Sequence, residues 1–280
     1  MYSIPQQQTF LEETKEILQR PDRFSSPVLA NKLKDIINFA DWTYYVNDNP
    51  LIADQEYDRL FSLLKQLERD HPQLITADSP TQRIAKGLTK EFATVSHLVP
   101  MLSLENSYNA DDLIEWDRKC KELSQQSNIE YCVEPKYDGA GISLIYENNI
   151  LTRGATRGDG VQGDDITLNT KQIRSVPLKS MLSQFHIEQI EIRGEVMLTK
   201  KAFQLYNEKM VAEGLAPLAN PRNAASGSLR IKDAHEVAKR GLDAFLYHIS
   251  NIGIEEGQTF PDAFQTHYSG LKALDSLGFK

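Results

Sequence analysis

Glu134-Pro135-Lys136-Tyr137-Asp138-Gly139 leads straight into Ile142-Ser143-Leu144-Ile145-Tyr146, and this junction decides both the fold and the chemistry read from the chain. Ile142, Leu144 and Tyr146 alternate with Ser143 and Ile145, and after Glu147-Asn148-Asn149 a second strand returns over residues 150–156, which reads as a hairpin. The Glu134–Asp138 stretch itself reads as strand. Residues two apart on a strand project to one face, so Glu134, Lys136 and Asp138 are expected to point together into a pocket. A lysine amine is a nucleophile only once deprotonated, which requires burial or nearby cations. The flanking carboxylates favour the charged form, so positive charge must arrive from arginines or a metal ion.

Outward from this stretch, further strand-like runs lie at 187–192, 195–198 and 244–249, with helical patterns at 110–123 and 200–213. Hairpins mixed with helices, without regular strand–helix alternation, predict an α+β antiparallel domain. The first eighty residues read differently, as a small helical module. One amphipathic helix is expected over 8–20, a second from Val28 to about Val46, and a third from a capping Asp54 to His71-Pro72. Ser79-Pro80-Thr81 marks the boundary, dividing the chain into 1–78 and 79–280.

With 280 residues, 25% charged and 40% apolar, the composition is that of a soluble globular protein of one large domain or two. No apolar run approaches a bilayer span and no secretory signal opens the chain, so no membrane partner and a cytoplasmic location are expected. Cys120 and Cys132 form no disulfide framework or metal spacing and are expected to be buried as small hydrophobes. A net charge of −8 argues against a tight, stand-alone nucleic-acid binder.

Several motifs compete with plainer readings. The glycines of Gly158-Asp159-Gly160-Val161-Gln162-Gly163 imitate a dinucleotide loop, but Asp159, Asp164 and Asp165 would repel phosphates, so a tight acidic turn is expected. Arg153 and Arg157 lie four apart near the hairpin and are candidate phosphate contacts. Glu195, in Arg193-Gly194-Glu195, is expected to project from a sheet. The small residues from Asn220 to Arg230 serve either close backbone approach to a ligand or helix–sheet packing. Tyr44, Tyr45, Asp54, Tyr57 and Asp58 could form a platform for a flat, positively charged ring, stacked on tyrosine and neutralised by aspartate.

Taken together, Lys136-Tyr137-Asp138-Gly139, Ala155-Thr156-Arg157-Gly158-Asp159-Gly160, Arg193-Gly194-Glu195-Val196, Asn220-Pro221-Arg222-Asn223 and the tyrosine–aspartate pattern resemble the N-terminal part of bacterial NAD-dependent DNA ligases. The resemblance covers the chain from about Leu33 to Lys280. It implies a nucleotidyltransferase domain of ATP-grasp-like type, in which Lys136 attacks the AMP phosphorus of NAD and releases nicotinamide mononucleotide. AMP then passes to the 5′-phosphate of nicked double-stranded DNA, for replication and repair, in the full-length enzyme. By resemblance, Ser103, Leu104, Glu134, Arg157 and Glu195 line the adenylate pocket, and Asp138 sits beside the reacting phosphate. Tyr44, Tyr45, Asp54, Tyr57 and Asp58 hold the nicotinamide mononucleotide half, while Arg222 and Arg230 contact phosphate or nick. Mg2+ is the implied metal, its ligands unassigned, and a monomer is expected. Two lysine motifs and the later modules of the family are absent from these residues, so the 79–280 domain is expected to lack its C-terminal part. The alternative is a non-catalytic NAD- or AMP-binding fragment.

Overall fold

The computed structural model describes residues 1–47, 49–83 and 91–280. Helix α1 (Ile4–Gln19) begins earlier than the expected residue 8, because Ser3 and Gln6 form a reciprocal capping box around Pro5 in the first turn. Helix α2 (Ser26–Asp41) passes directly into a π-helical turn, Trp42–Val46. Helix α3 (Asp54–Asp70) is capped at Ala53, whose N–H donates to Glu56 Oε2 at 3.2 Å. Asp54 therefore stands in the first turn, where its charge suits the helix dipole, and is not the cap. Ile17, Leu33, Ile36, Ile37, Leu60 and Leu64 close a first core among these three helices.

The rest is a mixture of helix and antiparallel sheet. In chain order it comprises β1 (Thr94–Ser96), α4 (Ala110–Ser124), β2 (Ala140–Glu147), β3 (Ile150–Thr156), β4 (Gln162–Asp164) and α5 (Thr167–Thr170). Then follow β5 (Ile187–Leu198), α6 (Lys200–Ala212), α7 (Pro221–Leu229), α8 (Ala234–Ala238), β6 (Leu242–Ile254) and α9 (His267–Ser276). Four strands form one antiparallel sheet in the order β3-β2-β5-β6, and β1 pairs with β4 apart from it. The β2–β3 turn places Asn148 and Asn149 at φ 49° and 72°, a left-handed pair that asparagine tolerates and that matches the strand twist. The two strand pieces read at 187–192 and 195–198 are one continuous strand. Arg193-Gly194 interrupts the apolar pattern but not the ladder, and irregularities in the β6 pairing absorb the break. Ile142, Leu144, Tyr146, Ile190, Ile192 and Val196 line the second core, which α7 covers with Ala224, Ala225 and Leu229. The small-residue run from Asn220 thus serves helix–sheet packing.

Two expectations are corrected. Residues 131–138 are not strand, since β2 starts only at Ala140. The register explains this: Ala140 lies opposite Val196, so continuing the ladder would set Lys136 opposite Lys200, where α6 has begun. Pro135 also lacks the N–H a ladder needs. Cys120 is half-buried and Cys132 exposed, so neither is a core residue. The Gly158–Gly163 stretch is the tight turn expected of it, with Asp159 Oδ1 accepting from the Val161 and Gln162 amides at 2.9 and 2.8 Å. Among the described residues no helix is long and apolar enough to cross a membrane.

The helical and sheet parts meet at Asp41. This buried carboxylate accepts the Tyr57 hydroxyl at 2.9 Å and faces Arg83 Nε at 3.6 Å and Arg174 Nη1 at 3.3 Å. Arg83 is itself buried and donates to the carbonyls of Lys171, Ile173 and Val176.

Candidate active site

A cleft of about 660 Å³ opens between the 99–104 segment, the Cys132–Tyr137 segment and the middle of β5 and β6, within the size range of small-molecule sites. Tyr137 and Tyr247 form its aromatic wall, their rings 6.4 Å apart at 22°. Phe245, two before Tyr247 on β6, stacks on the Tyr137 ring at 4.7 Å and 20° and backs that wall. Flat rings of this kind suit a planar, apolar-faced ligand group.

Glu195 projects from β5 into the cleft, where Oε1 accepts the Gly139 N–H and Oε2 the Tyr247 hydroxyl, both at 3.3 Å. Burial outweighs these hydrogen bonds and the nearby Lys136 charge, and pushes the Glu195 carboxyl above its ordinary value of 4.5. The folded state therefore keeps this proton to a higher pH than the unfolded chain. Since the unfolded state then binds fewer protons, stability falls as pH rises through the interval above 4.5. Glu195→Gln is expected to flatten that slope in urea midpoints taken on either side of the interval.

Gly139 fixes how the lysine segment meets the sheet. A Cβ here would lie 2.2 Å from the Val196 carbonyl oxygen and 2.8 Å from Met197 Cγ. Gly139→Ala must displace backbone, with an expected loss of about 1–3 kcal/mol in denaturation and a shift of Lys136 away from Glu195.

The opposite wall is tied down by Arg193. Its buried guanidinium donates to the carbonyls of Pro100 (3.1 Å) and Val99, and pairs with the fully buried Glu191, which also accepts the Ser143 hydroxyl at 2.5 Å. Met101, Leu102 and Leu104 follow and line the cleft. Arg157 Nη2 donates to Ser103 Oγ at 2.8 Å, joining two of the residues singled out in the sequence. Arg153 stands opposite Ile145 in the hairpin and is not among the described residues lining the cleft.

Lys136 is exposed at the mouth, beside an Asp138 that is paired to Arg222 at 2.9 Å. Arg230 instead pairs with Asp164, on the acidic turn, at 2.9 Å. Glu134 contacts His267 Nε2 from the start of α9. Burial, with Arg193 and His267 near, holds His248 below its ordinary range, so its imidazole is neutral near pH 7.

The tyrosine–aspartate residues do not enter this cleft. Tyr44 and Tyr45 are exposed on the π-helical turn with rings 4.7 Å apart, and the Arg174 guanidinium stands 5.9 Å from the Tyr45 ring. Tyr57 turns inward to Asp41, while Asp54 and Asp58 face solvent. Sequence reasoning missed Phe245 and Tyr247, which the period-two aromatic pattern on β6 could have revealed. It also missed Cys132, His248 and His267, for which no local signal exists.

Residues 89–280 match the family model described as the NAD-dependent DNA ligase adenylation domain. The chain belongs to this family. Residues 26–85 match a second model, the DNA ligase-like, N-terminal NAD+-binding domain. A DNA ligase of Persephonella marina is 54% identical over 90% of this chain and 35% of its own length. Those of Sulfurihydrogenibium azorense and Aquifex aeolicus are 49% and 48% identical over the whole chain, and over 40% and 39% of their own lengths. The chain thus spans about two-fifths of the length of these DNA ligase relatives.

Proposed function

We propose that this chain carries the NAD-activating part of a DNA ligase, with residues 1–78 holding the nicotinamide mononucleotide half of NAD and residues 79–280 the adenylate half. The observation that carries the reading is the placement of Lys136 at the mouth of an aromatic-walled cleft beside Glu195, in a chain matching the adenylation-domain family. Two separate apolar cores support the division of the chain. The antiparallel sheet with the lysine segment at its edge accords with an ATP-grasp-like nucleotidyltransferase.

In this reading the adenine lies against the Tyr137–Tyr247 wall, bounded by Glu134 and the 101–104 segment. The Lys136 amine, once deprotonated, attacks the AMP phosphorus. A P–N bond forms, the P–O bond to nicotinamide mononucleotide breaks, and the nucleotide leaves with the bonding pair. In the same reading Arg157, hydrogen-bonded to Ser103, and Arg222, paired with Asp138, are the arginines that would meet phosphate oxygens. The exposed Asp138 carboxylate is the kind of hard oxygen donor Mg2+ takes alongside substrate phosphates, and the ion would supply charge neutralisation there. The subsequent steps, AMP transfer to the 5′-phosphate of nicked double-stranded DNA and its displacement by the 3′-hydroxyl, belong to the longer protein, as a cytoplasmic monomer.

The test is intact-mass analysis after incubation with NAD and Mg2+. One AMP should be gained, with nicotinamide mononucleotide released. No gain would reduce the chain to a binding fragment, and a gain with ATP alone would overturn the assignment to NAD.

A further inference from the structure

We propose that Cys132, Glu134 and His267 form a binding site for a soft divalent cation, Zn2+ foremost, at the rim of the cleft, and that its occupancy excludes the adenylate. Cys132 and Glu134 are two apart on the irregular segment before β2, and their ligand atoms lie close together. His267 reaches them from the first residue of α9, whose start is fixed by Thr266 accepting the Ser269 N–H at 3.1 Å. The thiol sulfur, carboxylate oxygen and imidazole nitrogen all lie within 4.8 Å of one another, and Glu134 Oε1 already touches His267 Nε2.

Zinc bonds of about 2.3 Å to sulfur and 2.0–2.2 Å to nitrogen and oxygen put tetrahedral ligand atoms roughly 3.3–3.7 Å apart. The wider pairs close and the touching Glu134–His267 pair opens by about 1 Å each to reach this geometry, and all three residues lie at the surface. The mixed sulfur, nitrogen and oxygen set selects against Mg2+ and Ca2+, which prefer oxygen alone. Three protein ligands leave a fourth tetrahedral position open. No step proposed for Lys136 uses the thiol, yet Cys132 lines the same cleft. Glu134 cannot ligate a metal and border adenine at once, and this exclusion, unlike the metal site, rests on the proposed function.

Metal-free chain titrated with Co2+ should develop a thiolate-to-cobalt charge-transfer band in the near ultraviolet, complete at one equivalent and bleached by Zn2+. Cys132→Ser should abolish the band and Cys120→Ser leave it intact. His267→Ala should weaken Co2+ binding by more than the ~10–100-fold that losing an outer-shell partner costs. A missing band, or one that survives Cys132→Ser, overturns the site. Saturating AMP should bleach the band of the cobalt-loaded protein, and persistence of the band overturns the exclusion. Failure of the reading of the cleft would show separately, as no AMP adduct from NAD with the cobalt band still present.

Discussion

Lys136→Arg is expected to abolish the AMP adduct as completely as Lys136→Ala does. Arginine keeps the positive charge and most of the reach of lysine, so any role as a phosphate clamp would survive in part. Its guanidinium is never deprotonated in proteins, however, and cannot act as a nucleophile. Parallel loss in the two variants therefore assigns covalent attack, while retention in Lys136→Arg would show that another group receives AMP. The expected loss is on the order of 10⁴-fold or more in adduct formation, the scale seen when a nucleophile is removed outright. Lys136 is exposed, and surface substitutions away from special features stay within about 0.5 kcal/mol, so urea midpoints of both variants should match that of the parent. Mass spectrometry and denaturation together thus separate a chemical loss from a folding loss.

What could be read from the residues followed from how local each feature is. The Ile142–Tyr146 alternation and the paired asparagines were legible because a hairpin is written in neighbouring positions. The helices from Ser26 and Asp54 were legible for the same reason, through their apolar spacing. The lysine segment was misread as strand because its conformation depends on where a distant strand, β5, stops. The helical run from residue 200 was itself legible; what no local pattern carries is the register that sets Lys136 opposite it. Of the cleft, Glu134, Lys136, Glu195 and Leu104 were legible in local motifs, and beside it Ser103 and Arg157, 54 positions apart, meet, whereas His267 reaches Glu134 across 133 positions with nothing in either neighbourhood to announce it. Tyr57 shows the converse case. Its spacing from Asp58 suggested an open platform, but the nearby buried Asp41 captures its hydroxyl, and that capture depends on packing of α2 against α3.

Asp41→Ala is expected to destabilise the protein by about 3–5 kcal/mol, the cost of breaking a buried ion pair from one side. The carboxylate is only 3% exposed and draws together Tyr57 on α3, Arg83 beyond the helices, and Arg174 beside the sheet. Arg174 is about a third exposed and can regain water when the carboxylate goes. Arg83 cannot. Burial already holds its guanidinium below the ordinary range against the opposing pull of Asp41, and its remaining partners are the uncharged carbonyls of Lys171, Ile173 and Val176. Asp41→Asn keeps an acceptor for the Tyr57 hydroxyl and should cost less than Asp41→Ala. Removing both charges in Asp41→Asn with Arg83→Met should be far less damaging than the sum of the single changes, because no uncompensated charge then stays buried. Urea denaturation of the four proteins measures this coupling, and strict additivity would show that the pair contributes no interaction energy. Tyr57 adds a local readout. Burial, then the Asp41 charge, raises its hydroxyl far above the usual tyrosine range, so alkaline titration by ultraviolet absorbance should show one tyrosine ionising earlier in Asp41→Ala than in the parent.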